Sequence, residues 1–104
     1  MNARYIYVSG PYTKGDVAIL AAERLRIFGF IPYVPYLSHF WHLVFPHEHE
    51  YWMRLDLQWV KMCEALLRLP GESTGADREV KEAKSLGLKV YHSIDVLIDE
   101  ERGS

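Results

Sequence analysis

The sequence has a single cysteine, Cys63, among its 104 residues. No internal disulfide can therefore form, and we expect a protein of a reducing compartment, the cytoplasm. The stretch around Cys63 is apolar, which favours a buried, inert thiol over a nucleophile. No apolar run approaches the ~20 residues that a membrane-spanning helix needs, and the first residues lack the apolar core of a signal peptide. We therefore expect no membrane partner.

The chain also lacks a basic excess. Its formal net charge is -2, whereas proteins that bind nucleic acid polymers usually carry an excess of Lys and Arg. A free nucleotide needs only one or two cationic side chains or a helix N-terminus for binding. The charge therefore does not exclude a small anionic ligand. Hydrophobic residues make up 49% and charged residues 25%, which is typical of a globular protein. The length favours one domain over 1–104.

Apolar and polar residues alternate in a way that predicts strands and helices in turn. Such alternation implies βαβ units, and hence a Rossmann-like or flavodoxin-like three-layer α/β domain with a four- to five-stranded, mainly parallel sheet. The segment 37–50 is rich in His, Trp, Phe and Pro without a clear period, and we interpret it as a long loop or a short irregular helix. The predicted strands are 5–8, 30–34, 65–69 and 88–91, and the predicted helices are 16–28, 51–63, 74–86 and 93–100.

Ligands of such sheets bind beyond the carboxyl ends of the strands, where the first loop reads S-G-P-Y-T-K-G-D at 9–16. Gly10 and Gly15 would let backbone amides approach a ligand, and the helix that follows favours an anion. The loop is neither a P-loop nor the G-x-G-x-x-G dinucleotide fingerprint. An ordinary strand-to-helix turn explains it equally well.

A second candidate loop reads P-G-E-S-T-G-A-D-R-E-V at 70–80. Ser73 and the amides of Gly75 and Ala76 stand at a predicted helix start, which suits a phosphate or carboxylate. Glu79 follows within the first turns and can point back toward the strand ends. The same pattern is also typical of a plain N-cap with acidic residues that complement the helix dipole.

Asp56 is a second candidate carboxylate, on the predicted middle helix between Leu55 and Leu57. Two carboxylates that converge on one site are the minimal equipment for glycosidic cleavage. A solvent-exposed helix position explains Asp56 as well, since Arg54 and Lys61 lie nearby in the sequence.

Four histidines, His39, His42, His47 and His49, crowd the segment before that helix. Such crowding can bind zinc, but the sequence has no paired cysteines and no H-E-x-x-H. Aromatic residues such as Trp41 and Trp52 interleave with the histidines and suit stacking on a heterocyclic base. We therefore expect no metal site, although the histidines leave a metal-binding interaction module open.

Several of these segments together resemble the nucleoside 2-deoxyribosyltransferase superfamily, which includes the 2′-deoxynucleoside 5′-monophosphate N-glycosidases and small bacterial and phage relatives. The resemblance spans nearly the whole chain and is most specific at 69–91. It rests on S-G-P-Y after the first strand, W-x-x-x-D in the middle helix, L-P-G-x-S-x-G-A-x-x-E-V-x-x-A, and L-G-L-K-V-Y.

The resemblance implies an enzyme that cleaves an N-glycosidic bond without a cofactor. Glu79 matches the family's nucleophile, and Asp56 matches the helix aspartate that would protonate or orient the base. Ser73, six residues before Glu79, matches the serine that helps hold a phosphate in the monophosphate hydrolases, together with the amides of Gly75 and Ala76.

The remaining expected contacts come from the first loop and the aromatic segment. Ser9, Gly10 and Tyr12 would line the sugar, and Trp41 and Trp52 would stack on the base. The substrate would be a small nucleoside or nucleotide, hydrolysed or used for 2-deoxyribosyl transfer. A non-catalytic nucleotide sensor of the same fold is the alternative.

The aromatic residues at 40–59 exceed what so short a chain can easily bury. An exposed aromatic face usually marks an interface, so we expect a homodimer or a higher homo-oligomer.

Overall fold

The computed structural model describes residues 3–102, apart from the side chains of Tyr12 and Leu37. Strands and helices alternate along the chain, as the sequence predicts. They are β1 (Tyr5–Ser9), a single 3-10 turn (Tyr12–Lys14), α1 (Gly15–Ile27), β2 (Ile31–Tyr33), α2 (Tyr36–Val44), α3 (His49–Met62), β3 (Ala65–Arg68), α4 (Thr74–Ser85), β4 (Lys89–Tyr91) and α5 (Ile94–Arg102).

The four strands form one parallel sheet in the order β2-β1-β3-β4. This confirms the predicted α/β fold with a parallel sheet. The chain first adds β2 on one side of β1 and then crosses to add β3 on the other side, in register with Ser9 opposite Arg68. The crevice between the carboxyl ends of β1 and β3 is therefore the topological switch point of the sheet.

The alternation of side chains along β1 divides the core into two halves. Ile6 and Val8 pack with Leu25 of α1 and Leu97 of α5 on one face of the sheet. Tyr7 lies on the other face, where the second core cluster includes residues of α3 and α4. The result is three layers, with the sheet between two pairs of helices. No helix within residues 3–102 is long and apolar enough to cross a membrane.

The segment 37–50 is helical over much of its length, which agrees with the short helix that the sequence left open and not with a long loop. It contains the nine-residue helix α2, which starts directly after Pro35. The pattern misleads because Ser38 is buried while Trp41, Leu43 and Val44 are exposed. A helix is recognised in a sequence when its apolar residues fall on one face that is buried. In α2 apolar residues are exposed and a serine is buried. The other predicted elements agree with the structure within two residues at either end.

Two glycines hold the loops at the carboxyl edge in close contact. Gly71 has a φ of +116°, and a Cβ there would lie 2.9 Å from the Cγ of Pro11, so the turn after β3 packs directly on the turn after β1. A Cβ on Gly15 would lie 2.3 Å from ring atoms of Tyr36. Gly15 therefore makes room for the first residue of α2, a packing role that differs from the ligand approach expected from the sequence.

Candidate active site

A cavity of about 350 Å³ opens at the switch point between β1 and β3. The loops after β1 and β3 and the faces of α3 and α4 enclose it, so four separate parts of the chain meet there. The residues that line it are Gly10, Pro11, Thr13, Pro35, His49, Met53, Asp56, Glu72, Ser73, Thr74, Gly75, Ala76 and Glu79. Both carboxylates singled out in the sequence thus reach one cavity.

Glu79 comes from the second turn of α4 and is held by two hydroxyl groups of β1. The Tyr7 hydroxyl donates to Oε2 and the Ser9 hydroxyl donates to Oε1, each over 2.7 Å. Tyr7 and Ser9 are two residues apart on a strand, so they share the face that α4 covers. Only 5% of Glu79 is exposed, so its carboxylate has a fixed position at the floor of the cavity.

Burial raises the pKa of Glu79 to about 7, because the low-dielectric surroundings disfavour the charged form. The hydroxyls of Ser9 and Tyr7 oppose this effect by donating to the carboxylate, whereas the nearby charge of Asp56 raises the pKa further. Glu79 is therefore close to half ionised at neutral pH, poised for acid–base or nucleophilic chemistry.

Asp56 projects from α3 and is almost completely buried, with 1% exposed. Its Oδ1 accepts a hydrogen bond of 2.7 Å from the hydroxyl of Ser38 in α2. Burial raises the pKa of Asp56 to about 6, and the Ser38 hydroxyl and the charge of His49 act in the opposite direction. The alternative interpretation of Asp56 as a solvent-exposed helix residue is therefore wrong.

Glu79 and Asp56 form an interacting pair, since the charge on Asp56 makes it harder for Glu79 to ionise. When two acidic groups interact in this way, the two pKa values seen in a titration describe the pair and not the individual residues. Because burial raises both pKa values toward neutrality, the cavity can hold one ionised and one protonated carboxyl group. A pair of this kind can supply a nucleophile or base and an acid in the same reaction.

The start of α4 forms one wall of the cavity. Ser73 is its N-cap, and the Ser73 hydroxyl accepts the backbone N–H of Ala76 over 3.0 Å. Gly75 lies close to α3, since a Cβ there would be 3.2 Å from the sulfur of Met53. Ser73, Gly75 and Ala76 all line the cavity. A bound anion would meet the amides of Thr74 and Gly75 first, because the amide of Ala76 already has a partner.

The structure places Ser9 and Gly10, two of the three residues expected to line the sugar from the first loop, at different depths. Gly10 lines the cavity, whereas Ser9 is completely buried beneath it and contacts Glu79. The side chain of Tyr12 lies outside the described part of the structure.

The two tryptophans expected at the base lie beside the main cavity. Trp52 lines a neighbouring cavity of about 250 Å³ together with Ser38, His39, His42 and His49. Trp41 packs on Trp52, with the ring centroids 5.5 Å apart. His49 and the Ser38–Asp56 hydrogen bond connect the two cavities.

The histidines of this region make hydrogen bonds and ring contacts. Nδ1 of His42 accepts the indole N–H of Trp52 over 2.8 Å and the backbone N–H of His47 over 3.1 Å. His47 packs against Tyr51 with ring centroids 4.7 Å apart. Within residues 3–102, no group of three His, Cys, Asp or Glu side chains is arranged to hold a metal ion.

Three residues of the site were missed in the sequence: Tyr7, Ser38 and Arg68. Arg68 is buried at the end of β3, where it donates to the carbonyls of Leu69 and Gly71 and pairs with Asp77 over 3.2 Å. It thereby holds the loop that leads into α4. A polar residue at the carboxyl end of an apolar strand was the available signal for Arg68. The spacing Tyr7-x-Ser9 was the signal for Tyr7, and Ser38 had none.

A comparison with proteins of curated function found no match. One family model matches residues 4–92, from the start of β1 to just beyond β4, and so includes every element that encloses the cavity. The chain belongs to that family, which is described as Domain of unknown function (DUF4406).

Proposed function

We propose that this protein cleaves the N-glycosidic bond of a nucleoside 5′-monophosphate or nucleoside, by hydrolysis or by 2-deoxyribosyl transfer. The observation that carries the proposal is the pair of buried carboxylates, Glu79 and Asp56, in one cavity at the switch point of the sheet. Glycosidic cleavage passes through a positively charged, oxocarbenium-like state and needs one carboxylate to stabilise it and one acid for the leaving group.

Glu79 is the nucleophile in this proposal. The hydroxyls of Tyr7 and Ser9 hold both of its oxygens, which orients the group and favours its ionised form. As the bond between the anomeric carbon and the base nitrogen breaks, its electron pair leaves with the base. Glu79 then captures the anomeric carbon, and water or a second base displaces it in the next step.

Asp56 delivers the proton to the departing nitrogen, which would otherwise leave as a poor anion. It lines the same cavity as Glu79 on the opposing helix. It also borders the cavity that contains Trp52 through its contact with Ser38. The base would therefore lie toward Trp52, with Trp41 behind it.

The phosphate of a 5′-monophosphate would bind at the start of α4. Ser73, Thr74 and Gly75 line that wall of the cavity, and a helix N-terminus with unpaired amides favours an anion. The resemblance to the 5′-monophosphate N-glycosidases supports this assignment. The proposed chemistry is acid–base and nucleophilic, so we propose that the reaction uses no cofactor or metal.

The test is incubation with a panel of nucleosides and 5′-monophosphates, with detection of the released base by chromatography. We expect release from at least one deoxynucleotide and its loss by several orders of magnitude in Glu79→Gln. Glu82→Gln, the same change one turn further along α4, is the matched control. Activity of Glu79→Gln within tenfold of the wild type would remove Glu79 from the mechanism. Ligand binding without base release would favour the sensor.

We also propose that the protein acts as a homodimer or higher homo-oligomer in the cytoplasm. The exposed side of α2 and the turn after it is strongly apolar, and such a face is typical of an interface. Its exposed residues are Phe40, Trp41, Leu43, Val44 and Phe45. The single cysteine, Cys63, is free and buried, which is compatible with a reducing compartment.

A further inference from the structure

Ser38 holds an unusual position in α2. Only 3% of it is exposed, and it is the one buried residue among the α2 side chains that the structure describes. A helix usually buries apolar side chains, yet Leu43 and Val44 of the same helix point to solvent. Among the α2 side chains that the structure describes, the buried one therefore carries a hydroxyl group.

The hydroxyl of Ser38 has a specific partner in the active site. It donates to Oδ1 of Asp56 over 2.7 Å, at the ideal length for an O–H···O bond. A serine hydroxyl carries one proton, so the bond to Asp56 uses its whole donor capacity. This hydrogen bond lowers the pKa of Asp56.

We propose that Ser38 is a positioning residue for Asp56, whose hydroxyl fixes the orientation of the carboxylate and decides how readily it takes up a proton. For catalysis, the inference rests on the proposed function, since Asp56 is the proton donor there. The effect of Ser38 on the protonation of Asp56 in the free protein does not depend on Asp56 being the proton donor.

The other groups around Asp56 interact with it through charge, whereas Ser38 donates a hydrogen bond to it. Glu79 of α4 carries a like charge, and the hydroxyls of Tyr7 in β1 and Tyr33 in β2 also respond to the charge of Asp56. Burial raises the pKa of Tyr33 to about 12 and that of Tyr7 further, so both hydroxyls stay protonated near neutral pH. The proton of the Tyr7 hydroxyl is donated to Glu79. His49 on α3 interacts with Asp56 through its charge alone.

The direction of the effect follows from the hydrogen bond. A donor to the ionised form of a carboxyl lowers its pKa, so Ser38 opposes the burial that raises the pKa of Asp56 to about 6. Ser38→Ala removes the donor and keeps the burial. We expect the pKa of Asp56 to rise by on the order of one unit, since hydrogen bonds to charged groups are about twice as strong as neutral ones.

The experiment follows Asp56 directly in the free protein. Aspartate labelled with carbon-13 at the side-chain carboxyl is incorporated, and its chemical shift is titrated from pH 4 to 9. Asp56→Asn assigns the signal. Ser38→Ala should move the midpoint upward, Ser38→Thr should restore it because the hydroxyl is kept, and Ser85→Ala should leave it in place. Ser85 is the matched control because its hydroxyl bonds a backbone carbonyl at the far end of α4.

The pH profile of base release provides the second measurement. The limb that reports Asp56 should move to higher pH in Ser38→Ala by the amount seen in the titration, and Ser38→Thr should restore it. An unchanged Asp56 midpoint in Ser38→Ala would overturn the inference, whatever the activity. A shifted midpoint in a wild-type protein that releases no base would keep the positioning role and reject the proposed reaction.

Discussion

Glu79→Gln should make the protein more stable at alkaline pH. The reason is the cost of holding an ionised carboxylate in a buried site: Glu79 is 5% exposed, and burial raises its pKa to about 7. In the unfolded chain the pKa of the same group returns to its ordinary value of 4.5. The native state therefore binds this proton more tightly than the unfolded state does.

The sign and size of the effect follow from proton linkage. Between pH 4.5 and about 7 the native protein carries more of this proton than the unfolded chain, so stability falls as the pH rises through that window. Each pKa unit corresponds to about 1.4 kcal/mol. The full shift is therefore worth roughly 3 kcal/mol of unfolding free energy, present below pH 4.5 and lost above about pH 7.

Glutamine removes this dependence and keeps most of the contacts. Its amide oxygen can accept from one of the hydroxyls of Tyr7 and Ser9, and its NH₂ group can donate to the other. The remaining mismatch costs about 1 kcal/mol. Glu79→Gln should thus be equal to or slightly less stable than the wild type at pH 5, and more stable by up to about 2 kcal/mol at pH 8.5.

Urea unfolding followed by tryptophan fluorescence at both pH values measures the difference. Glu82→Gln is the matched control, and its effect should be small and equal at the two pH values. A stability difference between Glu79→Gln and the wild type that does not grow with pH would refute the reasoning, since it would mean that Glu79 titrates alike in both states. The combination of higher stability and lost activity is typical of a functional residue.

Four further outcomes follow from the site. Tyr7→Phe removes one of the two donors to Glu79, so it should raise the pKa of Glu79 and slow base release about tenfold at pH 7; an unchanged pH–rate profile would contradict this. Ser73→Ala should reduce the preference for a 5′-monophosphate in calorimetric titrations, whereas an equal loss for nucleoside and nucleotide would leave Ser73 with its capping role alone. Treatment with a chelator should change neither melting nor base release, and activity restored by zinc would contradict that. Light scattering at micromolar concentration should give the mass of a dimer or larger, and a monomer mass would refute the interface on α2.

Most of the fold could be predicted because the local sequence patterns indicate the same strands and helices that the parallel sheet contains. The apolar runs that form β1 and β3 are buried on both faces, as a central parallel strand must be. Helices α1 and α4 end where Gly29 and Gly87 supply a positive φ. These signals depend on residues that are neighbours in the sequence, which is why they can be found without a structure.

Helix α2 was predicted only as an alternative to a loop, for the opposite reason. Its exposed residues include Phe40 and Trp41, and Ser38 is buried. Sequence periodicity detects a helix only when the core determines which side is apolar. Here the buried Ser38 contacts a carboxylate of another helix, and no apolar residue marks that side in the sequence.

The carboxylates themselves were accessible from the sequence, but their hydroxyl partners were not. Asp56 and Glu79 stand in recognisable helix patterns close to loops at the strand ends. Their donors, Ser38, Tyr7 and Ser9, lie 18 to 72 residues away in the chain. Such contacts depend on the crossing order of the strands and the register of β1 on β3. They could be predicted only after the topology was known.

The number of donors on each carboxylate bears on which one is the nucleophile in the proposed reaction. Glu79 accepts two hydroxyl hydrogen bonds and Asp56 accepts one, so the contacts favour the anion at Glu79. The pKa values of about 7 for Glu79 and about 6 for Asp56 have the opposite order. The ordinary values of 4.5 for Glu and 3.8 for Asp already differ in this direction, and the charge of Asp56 raises the pKa of Glu79 further.

The two orders are reconciled if the pair shares one proton whose place depends on the bound substrate. A positive charge that develops at the anomeric carbon next to Glu79 stabilises the anion there and not at Asp56. The proton is then held by Asp56, beside the departing base. The transition state would thus reverse the order of the free protein. Asp56→Asn should therefore remove the limb of the kcat profile that falls at high pH, because that limb reports the proton on the acid. A falling limb that persists in Asp56→Asn would mean that another group protonates the departing base.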